Sequence, residues 1–339
     1  MSDAHVENEA PPQAENPAYV RPKDIDNRST RAQRILWAIE TFAWDWVYWK
    51  PFNAMSVERA SAVGASILRT LGPRTSKQKV VVRNLKLAFP DWDDDQIQTV
   101  ARQAWDNLGR IVGEMPHLGA FRPELGRIDV VHPEKLLPLK HKGVGSVFIS
   151  GHLSNWELFS AVLNHHVPDL QLTHRAANNP GVDQRINAAR MQLGAAPYSP
   201  KGIGTRDLMR ALASGRSVAL MNDQKFNQGL AVPFFGHDAM TAPGPTRLAL
   251  KYGAPIVPMS NKRIGPARYR VEVHDPIWPD ASKPTDEALY DSLLQINQFM
   301  EARIREAPAE WFWMHNRWPK DLWAKPYFSD ISSKSLGSM

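Results

Sequence analysis

The 339-residue chain contains no cysteine, which excludes disulfide frameworks, thiolate metal sites and cysteine nucleophiles together and permits a reducing compartment. It has no Gly-x-Ser-x-Gly elbow, no Gly-x-x-x-x-Gly-Lys-Ser/Thr loop and no His-Glu-x-x-His. Elbow hydrolases, phosphate-loop nucleotide enzymes and zincins therefore lack their motif, and no metal site is expected. A long apolar run is missing too. The most hydrophobic stretch, Ile35 to Trp49, is broken by Glu40 and Asp45. A transmembrane helix needs roughly 20 mostly apolar residues, and a central acid costs about 2.5 to 3.5 kcal/mol on insertion scales. A simple span is disfavoured. Asp3, His5, Glu7 and Glu9 stand where a secretory signal would be basic and then apolar, so export is not expected. Basic residues are scattered rather than interleaved with aromatics on one sheet, which argues against nucleic acid as a partner.

What is present has an ordinary globular balance, 43% hydrophobic and 22% charged, with a net charge of +6 that favours anionic partners. Residues 1–30 carry Pro11, Pro12, Pro17 and Pro22 without apolar periodicity and read as a disordered tail. Four of the 12 tryptophans then fall between Trp37 and Trp49. Tryptophan and tyrosine favour the headgroup region of a bilayer, so this helix either lies in a membrane interface flanked by Arg31, Arg34 and Lys50 or packs on the protein's own body. Val57, Ala60, Val63, Ile67, Leu68 and Leu71 form a second helical stripe ending at Gly72-Pro73, and two further amphipathic helices are predicted before Leu118.

Beyond residue 120 the pattern alternates. Apolar or β-branched runs at Ser146 to Ser150, Leu170 to Thr173, Ser217 to Leu220, Pro255 to Met259 and Tyr269 to Val273 are separated or followed by helical patterns. This predicts an α/β fold, a mostly parallel mixed sheet flanked by helices, with an N-terminal helical layer. The expected organisation is a tail over 1–30, a membrane-associating helical region over 31–120, an α/β domain over 121–325 and a C-terminal tail over 326–339.

Gly151-His152-Leu153-Ser154-Asn155-Trp156-Glu157 lies at the first strand-to-helix corner, where open α/β sheets hold side chains rigidly and a helix offers free N–H groups to negative charge. Two readings of the corner stand side by side. Ser154-x-x-Glu157 fits a capping box. Alternatively His152 is a general base and Glu157 the carboxylate that fixes its tautomer. Three later stretches are equally particular. Met221-Asn222-Asp223-Gln224 follows a strand; Val232-Pro233-Phe234-Phe235-Gly236 reads as an apolar loop; Trp311-x-Trp313-x-His315-x-Arg317-Trp318 gathers three tryptophans.

Together with Gly151-His152-x-x-Asn155-Trp156-Glu157, and in this order from about Arg83 to Trp318, these stretches resemble the bacterial lipid A late acyltransferases, the lauroyl/myristoyl transferases of the glycerolipid acyltransferase superfamily with its His-x4-Asp/Glu motif. The resemblance implies a glycerolipid acyltransferase-like fold at the cytoplasmic face of the inner membrane. It implies an acyl thioester on acyl carrier protein as donor, a lipid A precursor hydroxyl as acceptor, and no cofactor. It assigns His152 and Glu157 to catalysis and Arg190, Asp223 and Asn155 to the substrate site. Arg175 and Arg317 would meet acceptor phosphates, since a guanidinium fork matches phosphate oxygens. Unlike many members, this chain has acids inside its N-terminal apolar helix, which favours peripheral attachment. The alternatives are an acyltransferase for a lysophospholipid, amino-acid lipid or glycolipid, and a non-catalytic membrane or carrier-protein binding module.

Overall fold

The computed structural model describes residues 29–136, 145–167, 170–174, 176–194, 198–200 and 204–324. Arg175, nearly all of the expected N-terminal tail and the whole expected C-terminal tail lie outside these residues. Helix α1 (Arg31–Ala43) starts with a reciprocal cap between Thr30 and Gln33 and runs through wider, π-type turns at Trp44–Trp49 into the short α2 (Lys50–Asn53). Next come α3 (Val57–Leu71), α4 (Lys77–Ala88) and α5 (Asp94–Glu114), the last capped by Asp93 and Gln96. Helices α3 and α5 approach backbone to backbone, and only glycine allows it. A Cβ on Gly109 would stand 2.2 Å from the Gly64 carbonyl oxygen.

The α/β body is a seven-stranded sheet in the order β1-β9-β8-β2-β5-β3-β4. Its strands are β1 (Ile128–Val131), β2 (Val147–Ser150), β3 (Gln171–His174), β4 (Tyr198–Pro200), β5 (Val218–Met221), β8 (Ile256–Gly265) and β9 (Arg268–Val273). Every neighbouring pair is parallel except the β8–β9 hairpin. Helices α6 (Leu158–His166), α7 (Pro180–Met191), α8 (Gly204–Ala213), α9 (Gly244–Tyr252) and α10 (Thr285–Glu306) complete the body. All four residues of β2 are buried: Phe148 joins one hydrophobic cluster with Leu158 and Tyr269, while Val147 and Ile149 join another with Val218, Ile256 and Leu293. A strand covered on both faces reads as a continuous apolar run, which is why it is visible in sequence.

Elements at three places differ from the sequence reading, the first being β4, a three-residue edge strand with no apolar run. Strand β1 is short and interrupted by Asp129, so it gives no clear alternation, yet it closes the sheet edge against β9. The expected apolar loop at Val232 to Gly236 is one arm of a hairpin, β6 (Leu230–Phe234) with β7 (His237–Thr241). Its tip, Phe235-Gly236, has φ of 52° and 74°. Positive φ at both central residues matches the twist of the flanking strands, but phenylalanine is a poor signal for such a turn.

Helix α1 presents its polar side to the body. Glu40 accepts from Asn179 Nδ2 at 2.8 Å, and Asp45 forms a two-pronged pair with Arg185 at 3.0 and 2.7 Å. The acids that break the apolar run are thus the residues that dock it. Ile35, Leu36, Ile39, Phe42, Trp46 and Val47 are left exposed on the outside.

Candidate active site

Parallel strands end on a common rim, and the rim of β2 and β5 sets the site. Ser150 lies in register with Met221, so the following residues of each strand, Gly151-His152 and Asn222-Asp223, leave the sheet side by side. Gly151 keeps the space open: a Cβ there would stand 3.1 Å from the Asp223 carboxylate and 2.9 Å from Met300 Sδ. The segment after Glu310 seals the corner from the other side. Leu153 bridges to Trp311, Ser154 N–H donates to Glu310 O at 2.7 Å and Phe312 N–H donates to His152 O at 3.1 Å.

His152 Nδ1 meets Asp223 Oδ1 at 2.8 Å, and His152 backbone N–H donates to Oδ2 at 2.7 Å. Trp311 Nε1 donates to the same Oδ2 at 2.8 Å. Burial opposes charge on Asp223, but the His152 charge, its two hydrogen bonds and the Trp311 donor outweigh it and hold the carboxyl down to about 2. Asp223 is therefore ionised across the physiological range. An ionised acceptor at Nδ1 fixes the proton there and leaves Nε2 as the basic nitrogen. Burial works against the imidazolium, yet the charge and hydrogen bond of Asp223, with the charge of Glu157 adding, raise His152 above the ordinary histidine value. Nε2 lies 3.3 Å from Gln224 Nε2, and the imidazole packs with the rings of Trp156 and Phe312.

The carboxylate on His152 Nδ1 is thus Asp223, and the orienting role assigned in sequence to Glu157 is corrected. Glu157 instead forms a two-pronged pair with Arg190 on α7, at 2.8 and 2.7 Å, and is almost fully buried. Nor is the capping box present. Ser154 Oγ is buried without a partner, Ser154 has φ of 47°, and its N–H is spent on Glu310. The helix-start N–H groups expected to face an oxyanion are also taken: Glu157 N donates to Asn155 Oδ1, and the N–H groups of Leu158, Phe159 and Ser160 donate to the carbonyls of Asn155, Trp156 and Glu157.

Three of the residues expected at the substrate site are buried. Asp223 has a side chain 1% exposed and is consumed by His152 and Trp311. Asn155 is fully buried, donating to Glu114 Oε2 at 2.8 Å. Arg317 is fully buried as well, donating to Met240 O and Thr241 Oγ1 at 3.0 and 2.8 Å beneath the ring of Phe234, and burial pushes its pKa down to about 10 against the pull of Asp223. No acceptor phosphate reaches it there. Its neighbours explain the tryptophan motif: Trp318 Nε1 donates to Phe234 O, and Asn84 Nδ2 donates to the carbonyls of Trp313 and His315. The motif clamps the β6–β7 hairpin and α4 to the back of the catalytic corner.

Arg190 does line a cavity of about 600 Å³ that opens at His152. Gln224, Lys225 and Arg247 are among its polar lining, and Phe159, Leu172, Leu208 and Ala219 are among its apolar lining. A long chain with a polar head fits such a wall. Lys225 and Arg247 carried no motif; only the positions of β5 and α9 bring them here. Among the described residues no cluster of three His, Asp or Glu side chains could hold a metal ion.

The family model described as bacterial lipid A biosynthesis acyltransferase matches residues 28–320. The chain is 24% identical over 247 residues to a lipid A biosynthesis lauroyltransferase of Escherichia coli (strain K12), covering 71% of this chain and 78% of that protein. It is 24% identical over 250 residues to a lipid A biosynthesis acyltransferase of Shigella flexneri, with the same coverage, 71% and 78%. Among solved structures, the 1-acyl-sn-glycerophosphate acyltransferase of Thermotoga maritima aligns with a TM-score of 0.33 and 12% identity over 72% of this chain and 95% of that one. A match over nearly the whole described chain, on a fold whose rim presents His152 to the cavity, makes this protein a member of the bacterial lipid A biosynthesis acyltransferase family.

Proposed function

We propose that the protein moves a fatty acyl chain from an acyl carrier protein thioester to a hydroxyl of a lipid A precursor, with His152 as general base. The observation that carries this reading is a cavity lined by His152 together with basic and apolar side chains, inside a family of acyltransferases. A secondary hydroxyl is a poor nucleophile at neutral pH. His152 Nε2 takes its proton as the oxygen attacks the thioester carbonyl, a contribution of about 10² to 10⁴ in rate. Asp223 stabilises the imidazolium so formed. The tetrahedral oxyanion needs donors, and Gln224 and Lys225 in the cavity lining supply them. When the intermediate collapses, the carbon–sulfur bond breaks and the departing thiolate takes the proton back from Nε2, leaving an ester and a free thiol. No acyl-enzyme is required. Arg190, held by Glu157, and Arg247 offer positive charge to an anionic acceptor or donor headgroup.

The protein acts from the membrane surface in this reading. No helix among the described residues is long and apolar enough to cross a bilayer. Support comes from α1, docked by Glu40 and Asp45 with its apolar side outward, where Lys50 Nζ sits 3.4 Å from the Trp46 ring. That arrangement suits a helix lying in the headgroup region of an anionic leaflet.

The test is a transfer assay with acyl carrier protein thioesters and a purified lipid A precursor, followed by mass spectrometry of the lipid. One added acyl chain is expected, and His152→Ala should abolish it. Turnover retained in a folded His152→Ala protein would overturn the mechanism, and acylation of a lysophospholipid in place of the precursor would overturn the acceptor.

A further inference from the structure

Behind the catalytic corner lies a buried carboxylate that the reaction does not use. Glu114, the last residue of α5, has no exposed surface. It accepts hydrogen bonds from Ser61 Oγ on α3 at 2.7 Å, Asn155 Nδ2 at 2.8 Å, Arg263 Nη1 on β8 at 2.6 Å and the Tyr269 hydroxyl on β9. One side chain thus joins the helical layer, the sheet and the turn between β2 and α6. Buried ion pairs are weak devices for stability, because desolvating two charges consumes most of their attraction; well-packed apolar residues often do as well or better. What such a network supplies is fixed geometry.

We infer that Glu114 is a positioning residue for the catalytic turn, acting through Asn155 to hold the backbone that carries His152 and Glu157. Asn155 is the joint. Its Nδ2 donates to Glu114, its Oδ1 accepts from Glu157 N–H at 3.3 Å, and its carbonyl accepts from Asn261 Nδ2 at 2.6 Å and Leu158 N–H at 3.1 Å. The residue before it is Ser154, a left-handed conformation that only its surroundings hold in place. If Asn155 were released, the turn would relax there, and both His152 and Glu157 would move relative to the rim of β5. Displacement of reacting groups by about 1 Å costs on the order of 10²-fold in rate. Arg247 and the wall residues Leu172, Leu208 and Ala219 lie on other elements and would be undisturbed.

This inference rests on the proposed reaction, so its test includes a measurement that needs no substrate. Glu114→Gln leaves Arg263 facing a neutral group and can fail to fold. Asn155→Ala cuts the link while leaving the Glu114–Arg263 pair intact. Ser61→Ala removes a donor to the same carboxylate from α3, away from the turn, and serves as the control for simple loss of stability. Asn155→Ala is expected to lower kcat on the order of 10- to 100-fold with KM within about twofold, while Ser61→Ala keeps kcat within about twofold. In protein with nitrogen-labelled histidine, the His152 Nδ1–H resonance should shift or broaden in Asn155→Ala and stay in place in Ser61→Ala. Equal kcat in Asn155→Ala and Ser61→Ala, or an unmoved His152 resonance, overturns the role of Glu114. A wild-type protein inert towards the thioester would count against the proposed function alone, since the resonance still decides the positioning role.

Discussion

Trp311 donates its indole N–H to Asp223 Oδ2 at 2.8 Å, so the C-terminal tryptophan motif holds the carboxylate that holds His152. Oδ2 is shared with the His152 backbone, which leaves Oδ1 free to face Nδ1. Trp311→Phe keeps the ring's packing but removes the donor. A buried acceptor that loses one charged-group hydrogen bond costs about 1.5 to 3 kcal/mol, so the variant should unfold at lower denaturant by that amount. Its kcat should fall as well, because Asp223 gains freedom to rotate. Denaturant titration and steady-state kinetics on the same preparation check both.

Asp223→Asn and Glu157→Gln separate the two carboxylates. Asparagine at position 223 cannot fix the Nδ1–H tautomer with a charge, and the loss should reach about 10² to 10⁴ in kcat, the range for a compromised acid–base group. Glutamine at position 157 leaves Asp223 in place but breaks the pair with Arg190, so it should cost about 3 kcal/mol of stability and a smaller part of kcat. The opposite ranking of kcat would restore Glu157 as the orienting group.

The pH dependence follows from two shifts with opposite signs. His152 is raised, so its neutral, basic form is lost as pH falls through a value above 6.5, and kcat should show an acid limb with its midpoint there. In stability the same shift acts below 6.5 and disappears as pH rises through the folded-state value. Asp223, lowered from 3.8 to about 2, stabilises the fold above 3.8 and ceases to do so as pH falls through about 2. In Asp223→Asn the charge that raises His152 is gone and burial remains, so the acid limb should move to lower pH. A limb that stays put in this variant would rule out Asp223 as the source of the shift.

Leu36→Asp with Phe42→Asp tests the outward face of α1. Both residues are exposed, at 63% and 65%, so the fold should be unaffected. Burying a large apolar side chain is worth about 1.5 to 3 kcal/mol, and the double variant should lose at least about 100-fold in partitioning onto anionic vesicles by sedimentation. Unchanged sedimentation would remove α1 as the attachment surface.

Gly109→Ala probes the helical layer. Its methyl would meet the Gly64 carbonyl at 2.2 Å, so α3 and α5 must part. Overpacking of this kind costs about 1 to 3 kcal/mol, which a thermal melt resolves. Because α5 ends in Glu114, kcat should fall alongside stability.

By itself the sequence determined the central strands of the sheet, because these are buried and therefore apolar, and it placed His152 at a strand end for the same reason. The family could be read from motifs dispersed between Arg83 and Trp318, since their order survives without knowledge of their contacts. It could not say which carboxylate meets the histidine. Glu157, five residues on, is near in the chain; Asp223 is near only because β2 and β5 pair in parallel with Ser150 opposite Met221. Likewise Arg317 looked like a phosphate ligand until the β6–β7 hairpin closed over it, and Glu114 carried no motif because its four donors come from four separate segments. Residues whose role depends on one strand or helix were legible; those whose role depends on the register between strands were decided by the tertiary structure, because hydrogen bonds and desolvation act over a few ångströms of space regardless of distance along the chain.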